Sequence, residues 1–190
     1  MQSLVLGATG ILGDYIVQHL LLSGEKPFAL SRSPPKHPKG APWVGGDLAR
    51  PTALKFPQIE TIYCTFDVCL LAEALPHLLN PCLKRVVAFT STSIVTKTDS
   101  ELASERESTR GWSEAEQKLI ATCEMLGIGW TILRPTIVYA EGRDRNVARL
   151  ARLIQTFGFL PLAGRGSGLR QPVHAEDLAI GDSCKIVEGQ

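Results

Sequence analysis

The residues best spaced for chemistry are three glycines at intervals of three, in Gly7-Ala8-Thr9-Gly10-Ile11-Leu12-Gly13. Such spacing lets a backbone turn sharply, approach a pyrophosphate closely and pack a helix against a strand. Gly7, Thr9, Gly10, Ile11, Leu12 and Gly13 are therefore expected to hold a dinucleotide. The free N–H groups and dipole of a helix N-terminus would face its phosphates. No Gly-Lys-Ser/Thr follows, which argues against a phosphoryl-transfer loop. A bare tight turn is the plain alternative.

Which dinucleotide depends on the end of the second strand, where an acid holds a ribose 2′-hydroxyl and an Arg suits a 2′-phosphate. This chain has Ser31-Arg32-Ser33 followed by Lys36, His37 and Lys39, with no acid before Asp47. That favours NADP over NAD, with Arg32 as the phosphate partner. A solvated basic loop is the alternative. The five cysteines, Cys64, Cys69, Cys82, Cys123 and Cys184, form no CxxC, and there are only four histidines and no HExxH. No metal site is expected, and buried thiols in a reducing cytoplasm are the reading.

The elements that position these residues follow from pattern. Ser3 to Leu6 reads as a strand, and Ile11 to Leu22 as a helix with Leu12, Ile16 and Leu20 on one face. Pro27 to Leu30, Trp43 with Val44, Ile59 to Cys64, Arg85 to Phe89 and Trp130 to Leu133 read as further strands. Ser33 to Pro42, with four prolines, is a loop. Helices are expected over Ser113 to Leu126, Asp144 to Phe157 and Ala175 to Val187, with a polar surface excursion over Lys97 to Arg110. Glu116 completes a Ser113-x-x-Glu116 capping box, and Lys118 reads as a solvated charge. The 190 residues carry 20 basic and 19 acidic side chains and are 44% apolar. This is the composition of a globular domain with no global pull toward nucleic acid or a membrane surface. No apolar run approaches the roughly 20 residues of a membrane span, and the N-terminus reads as a strand rather than a signal peptide.

Five segments in order resemble the short-chain dehydrogenase/reductase superfamily, in the extended or atypical branch of nucleotide-sugar epimerases and dehydratases. They are the glycine turn, Gly46-Asp47-Leu48, Val86 to Ser93, Leu133-Arg134-Pro135-Thr136-Ile137-Val138-Tyr139, and Gln171-Pro172-Val173-His174 with Asp177. The resemblance implies an α/β fold, a Rossmann-type doubly wound parallel sheet. It implies a single domain over residues 1–190 with a reduced substrate region near 142–174, most of a C-terminal lobe being absent. The pocket would then be shallow or completed by another subunit. It further implies that Asp47 and Leu48 contact adenine and that Pro135 and Thr136 serve the nicotinamide. Thr92 is then the strand-end hydroxyl and Ser93 a substrate contact. Tyr139 and His174 are substitute acid–base groups, and Arg143, Arg165 and Arg170 bind a nucleotide-sugar diphosphate. A homodimer through the helix at Ser113 is also implied. Thr92 as a local backbone partner, Tyr139 as core, His174 as packing and the arginines as surface charge are the alternatives.

The superfamily's redox step uses a Tyr-x-x-x-Lys pair, in which Lys lowers the Tyr pKa and holds the ribose. Here Tyr15, Tyr63 and Tyr139 are followed four residues on by His19, Asp67 and Arg143. Aligned on Glu116, the two places fall at Ser108 and Trp112; aligned on Glu114, at Arg106 and Arg110. Loss of the proton donor costs about 10²–10⁴ in rate. Three readings follow. The first is an NAD(P)-dependent oxidoreductase or epimerase acting on a nucleotide sugar or other polar carbonyl or alcohol. The second is a non-catalytic dinucleotide-binding regulator or scaffold. The third is an atypical reductase of a small ketone or quinone.

Overall fold

A computed structural model describes residues 1–36, 40–144, 146–159 and 171–181. Its central sheet is six-stranded and parallel: β1 (Gln2–Leu6), β2 (Lys26–Ser31), β3 (Trp43–Gly45), β4 (Thr61–Cys64), β5 (Arg85–Phe89) and β6 (Gly129–Leu133). The spatial order β3-β2-β1-β4-β5-β6 reverses direction between β1 and β4. That is the doubly wound α/β arrangement, whose ligands sit in the crevice outside the carboxyl ends of the strands where the order reverses.

Alternation along the strands makes two cores. Leu4, Leu6, Ile62 and Val86 face α2 (Val68–Leu78) and α4 (Ala103–Leu126), meeting Leu71, Leu75, Leu119 and Cys123. Val5, Tyr63, Val87 and Phe89 face the other way, against Leu12, Ile16, Val17 and Leu20 of α1 (Ile11–Leu22). Ala175 and Ala179 of α6 (Ala175–Gly181) join this second core. A short α3 (Ser93–Thr96) follows β5, and α5 (Val147–Phe157) lies between two short strands. These are β7 (Val138–Tyr139) and β8 (Val173–His174), which pair in parallel as a second sheet.

Several expectations are corrected. No helix is expected over α2: its apolar run is broken only by a narrow exposed face of Glu73, Pro76 and His77, and Pro76 lies inside it. α4 begins at Ala103 rather than Ser113, so the last eight residues of the polar excursion are helical. Glu116 is consequently deep inside a helix and caps nothing. The helix expected over Ala175 to Val187 is described as far as Gly181, and Cys184 lies outside the described residues. α5 begins at Val147 rather than Asp144, and its Leu150, Ile154 and Phe157 are exposed. Among the described residues, no helix is long and apolar enough to cross a membrane.

Candidate dinucleotide cleft

The glycine turn requires its glycines. Gly7 adopts φ 86°, a left-handed conformation, and a side chain there would meet Thr65 Oγ1 at 2.6 Å. A Cβ on Gly13 would lie 2.3 Å from the Gly7 carbonyl oxygen and 2.8 Å from Ala8 Cα, so only glycine permits α1 to approach β1 this closely. Gly10 caps α1 with extended backbone and no side-chain cap. The first-turn N–H groups, those of Ile11 and Leu12 included, have no intrahelical acceptor and keep their positive dipole end for a ligand. Leu12 and Gly13 are themselves buried.

A cavity of about 490 Å³ opens in front of this turn. Gly7, Thr9 and Gly10 form its floor, and Ser31, Arg32, Asp47 and Leu48 line its β2–β3 end. Asp47 is held by accepting the Ala49 amide at 3.1 Å, and Leu48 is buried. The structure thus brings together six of the expected cofactor residues. It adds Thr65, Phe66, Asp67 and Leu70, which sequence reasoning missed. Their signal was positional: they follow β4, on the far side of the reversal point from the glycine turn. Thr65 Oγ1 donates to the carbonyls of Leu6 at 3.2 Å and Gly7 at 3.3 Å, tying the β4 loop to the turn. Asp67 caps α2, its Oδ1 accepting from the amides of Cys69 (2.9 Å) and Leu70 (3.3 Å). This geometry suits a dinucleotide: an uncapped helix N-terminus, a cradle that any Cβ would fill, and a groove continuing to either side.

Beyond Phe66 and Asp67 the groove continues into a second cavity of about 360 Å³, walled also by Val68, Thr90, Ser91 and Trp112. Trp112 in turn borders a third, about 210 Å³, containing Ser93, Lys97, Glu105 and Ser108. Ser108 and Trp112 face the cavities, whereas Arg106 donates to the Ser100 and Glu101 carbonyls and Arg110 is exposed. Ser91 and Ser93 hydroxyls lie 3.0 Å apart. Thr92 lines neither of these cavities. Its amide donates to the Pro135 carbonyl at 3.1 Å, and its carbonyl accepts from Thr96 Oγ1 at 3.2 Å. In the third cavity Lys97 Nζ meets Glu105 Oε1 at 2.6 Å. The Lys97 and Ser100 hydrogen bonds hold the Glu105 carboxyl below its ordinary range.

Beneath the second cavity lies a buried polar knot. Glu116, 1% exposed, accepts from Thr90 Oγ1 at 2.6 Å and from two nitrogens of Arg134, Nε at 3.1–3.2 Å and Nη2. Hydrogen bonding to Glu116 raises the Arg134 pKa further. This fork joins α4 to the ends of β5 and β6 and accounts for the acid without a cap. Lys118 is paired on the surface with Glu73 at 2.5 Å.

Tyr139 and His174 lie together, away from these cavities. The His174 ring packs edge-on against Tyr139 at 5.1 Å and Tyr15 at 5.5 Å. Its Nδ1 accepts the Glu176 amide at 3.3 Å, at the start of α6, and its Nε2 is buried with Glu141 Oε2 at 3.4 Å. Arg143 pairs with Asp14 at 2.8 Å and lies over the Tyr15 ring. Thr136 Oγ1 donates to the Gln171 carbonyl, linking the two late segments. Arg165 and Arg170 lie outside the described residues, as do His37 and Lys39.

No protein-family model matches the chain. A curated protein of Arabidopsis thaliana, NADH dehydrogenase [ubiquinone] 1 alpha subcomplex subunit 9, mitochondrial, is 27% identical over 202 aligned residues. The match takes in 92% of the chain, which spans about half (47%) of that relative's length. Among solved structures, UDP-N-acetylglucosamine 4-epimerase from Bacillus cereus superposes with TM-score 0.75 at 16% identity, over 96% of this chain and 72% of that one. MoeE5, solved with UDP-glucuronic acid and NAD, gives 0.72 at 21% identity over 100% and 73%. The fold is therefore the Rossmann-type sheet of the nucleotide-sugar epimerases and dehydratases.

Proposed function

We propose that this chain is an NAD(P)-binding protein of the extended short-chain dehydrogenase/reductase type that holds its dinucleotide as a bound ligand in a regulatory or scaffolding role. The observation that carries the reading is the contrast within one groove. The glycine cradle is intact, while the places of the proton donor and its lysine, aligned on Glu116, would fall at Ser108 and Trp112, which line the adjoining cavities. Gly7, Thr9 and Gly10 with the first turn of α1 would hold the diphosphate. Arg32 would take a 2′-phosphate, favouring NADP over NAD, and Asp47 and Leu48 would border the adenine. A bound nicotinamide supplies a hydride acceptor or donor, but a serine hydroxyl beside it titrates far above neutrality and moves no proton unaided. The Arabidopsis relative, by name a subunit of a larger assembly, supports a role through partners.

A second reading, a nucleotide-sugar epimerase or dehydratase, is favoured by the solved neighbours, one of which is by description complexed with a UDP-sugar and NAD. In that reading Ser91, Thr92 and Ser93 contact the sugar and Pro135 and Thr136 the nicotinamide, with Arg143, Arg165 and Arg170 toward the diphosphate. His174 and Tyr139 would have to leave their mutual packing to act as acid and base. For location we keep the cytoplasm, on the free thiols of Cys64, Cys69, Cys82 and Cys123, and the relative is by name mitochondrial. A homodimer through α4 is the assembly to look for by light scattering.

The test is calorimetric titration with NADPH, NADP⁺, NADH and NAD⁺. UDP- and GDP-sugars and quinones are then offered to the loaded protein, with nicotinamide absorbance and product mass followed. Binding without turnover is expected. Turnover of any panel member that is lost in His174→Ala would reverse the choice.

A further inference from the structure

Resting on the reading of the groove as a dinucleotide site, we infer that the cavity walled by Phe66, Asp67 and Trp112 prefers a positively charged ring, so that the protein binds oxidised NAD(P)⁺ more tightly than NAD(P)H. The argument begins with where the second nucleotide must lie. A dinucleotide is two nucleotides joined at the diphosphate, and the diphosphate belongs at the glycine turn. Arg32, Asp47 and Leu48 mark the adenosine side, toward β2 and β3. The remaining nucleotide must cross the reversal point toward β4 and β5. The groove continues there past Phe66 and Asp67, which line both cavities.

Among the described residues, the walls of that second cavity carry one acid, two aromatic rings, an aliphatic side chain and two hydroxyls, and no base. Asp67 is the one charged residue among them, and as an ionised helix cap it donates nothing; its carboxylate can only accept. Arg134 below is already committed to Glu116 by two nitrogens, and Lys97 on the far side of Trp112 to Glu105, so neither pair offers net positive charge. Trp112 stands where a lysine would have repelled a pyridinium; an indole face instead attracts a cation. Oxidised nicotinamide is cationic and the reduced ring is neutral. Carboxylate and indole together therefore distinguish two ligands that differ by one hydride.

The expected preference is on the order of tenfold, the size of a partly desolvated cation–π contact supplemented by a screened carboxylate. By linkage, a tenfold preference lowers the midpoint potential of the bound couple by about 30 mV. Occupancy would then follow the oxidised fraction of the pool, which makes the groove a reporter of redox state without turnover.

The experiment titrates the full chain with each oxidised and reduced pair and with ADP-ribose and its 2′-phosphate, which lack the ring. Two variants follow. Asp67→Asn keeps an oxygen for the α2 cap and removes the charge, and Trp112→Leu removes the indole. A cooperative urea-unfolding transition certifies that each variant is folded, and the ratio of oxidised to reduced affinity is read within each variant. Tighter binding of the oxidised forms, with the ratio falling severalfold in either variant, supports the inference. Equal affinities, tighter binding of the reduced forms, or a ratio unmoved by both substitutions overturns it and leaves the dinucleotide reading standing. Failure of every nucleotide and of ADP-ribose to bind overturns that reading and this inference together.

Discussion

The two ends of the groove are built from the same materials to different effect. At the β1–α1 end, backbone does the work. Glycine at positions 7 and 13 allows close approach, and α1 starts without a side-chain cap, leaving its amides for a ligand. At the β4–β5 end, side chains do it. α2 is capped internally by Asp67, Thr90 is spoken for by Glu116, and Trp112 fills the wall. Recognition of a diphosphate needs only amides and space, so it survives wide change elsewhere in the chain. Proton transfer needs particular titrating groups at particular places, and is the more easily lost.

The comparison can be broken most forcefully at the knot below the second cavity. Arg134→Met leaves the nearly inaccessible Glu116 carboxylate facing Thr90 alone and should cost about 3 kcal/mol in urea unfolding, near the low end for a broken buried pair because Arg134 itself is half-exposed. Glu116→Gln should cost only about 1 kcal/mol, since the freed guanidinium can turn to water. Equal losses would show that the carboxylate is better hydrated than its burial indicates.

At the opposite end, Gly13→Ala forces a methyl onto the Gly7 carbonyl. The expected cost is about 1–3 kcal/mol, a melting temperature lower by roughly 3–10 °C in differential scanning calorimetry, together with loss of dinucleotide heat. Arg32→Ala is milder: NADPH affinity should fall about tenfold while NADH affinity stays constant, as measured calorimetrically. Equal losses for both would remove the 2′-phosphate assignment.

The smallest effect lies outside the groove, at Asp144. Its carboxylate accepts the amides of Asn146 (2.9 Å), Val147 (2.6 Å) and Ala148 (3.1 Å), opening α5. Desolvation pushes its pKa up, but these backbone donors outweigh it and hold the group below the ordinary carboxylate range. The native state thus favours the ionised form. Its contribution is complete above the unfolded pKa and is lost as pH falls through the lower folded value. Amide exchange at residues 146–148 should accelerate, after intrinsic correction, only in that acid window.

Sequence reasoning reached the backbone-built end and stopped short of the other. α1 has the bounds its period predicted, and Gly7, Gly10, Arg32 and Asp47 meet in one cavity, because glycine spacing and strand–helix succession are local signals. α2 was hard to read because Glu73 and His77 are its only polar side chains, too narrow a face to set a period, and Pro76 reads as a breaker. The first turns of α4, Ala-Ser-Glu-Arg-Glu-Ser-Thr-Arg, are polar almost all round and resemble a loop. Glu116 satisfied a local capping pattern, yet its partners Thr90 and Arg134 come from strands distant in sequence. Asp67 went unnoticed for the same reason: nothing beside it in the chain announces the cavity that the sheet's reversal creates.

The edge-on rings of Tyr15, His174 and Tyr139, with the Asp14–Arg143 ion pair beside them, fasten the outer side of α1's opening turn to the small β7–β8 sheet. That fastening makes the helix a lever with its fulcrum among late-sequence residues. Displacing the small sheet would reset the tilt of the helix end proposed to hold phosphate, so that the protein's flank and the glycine turn move as one.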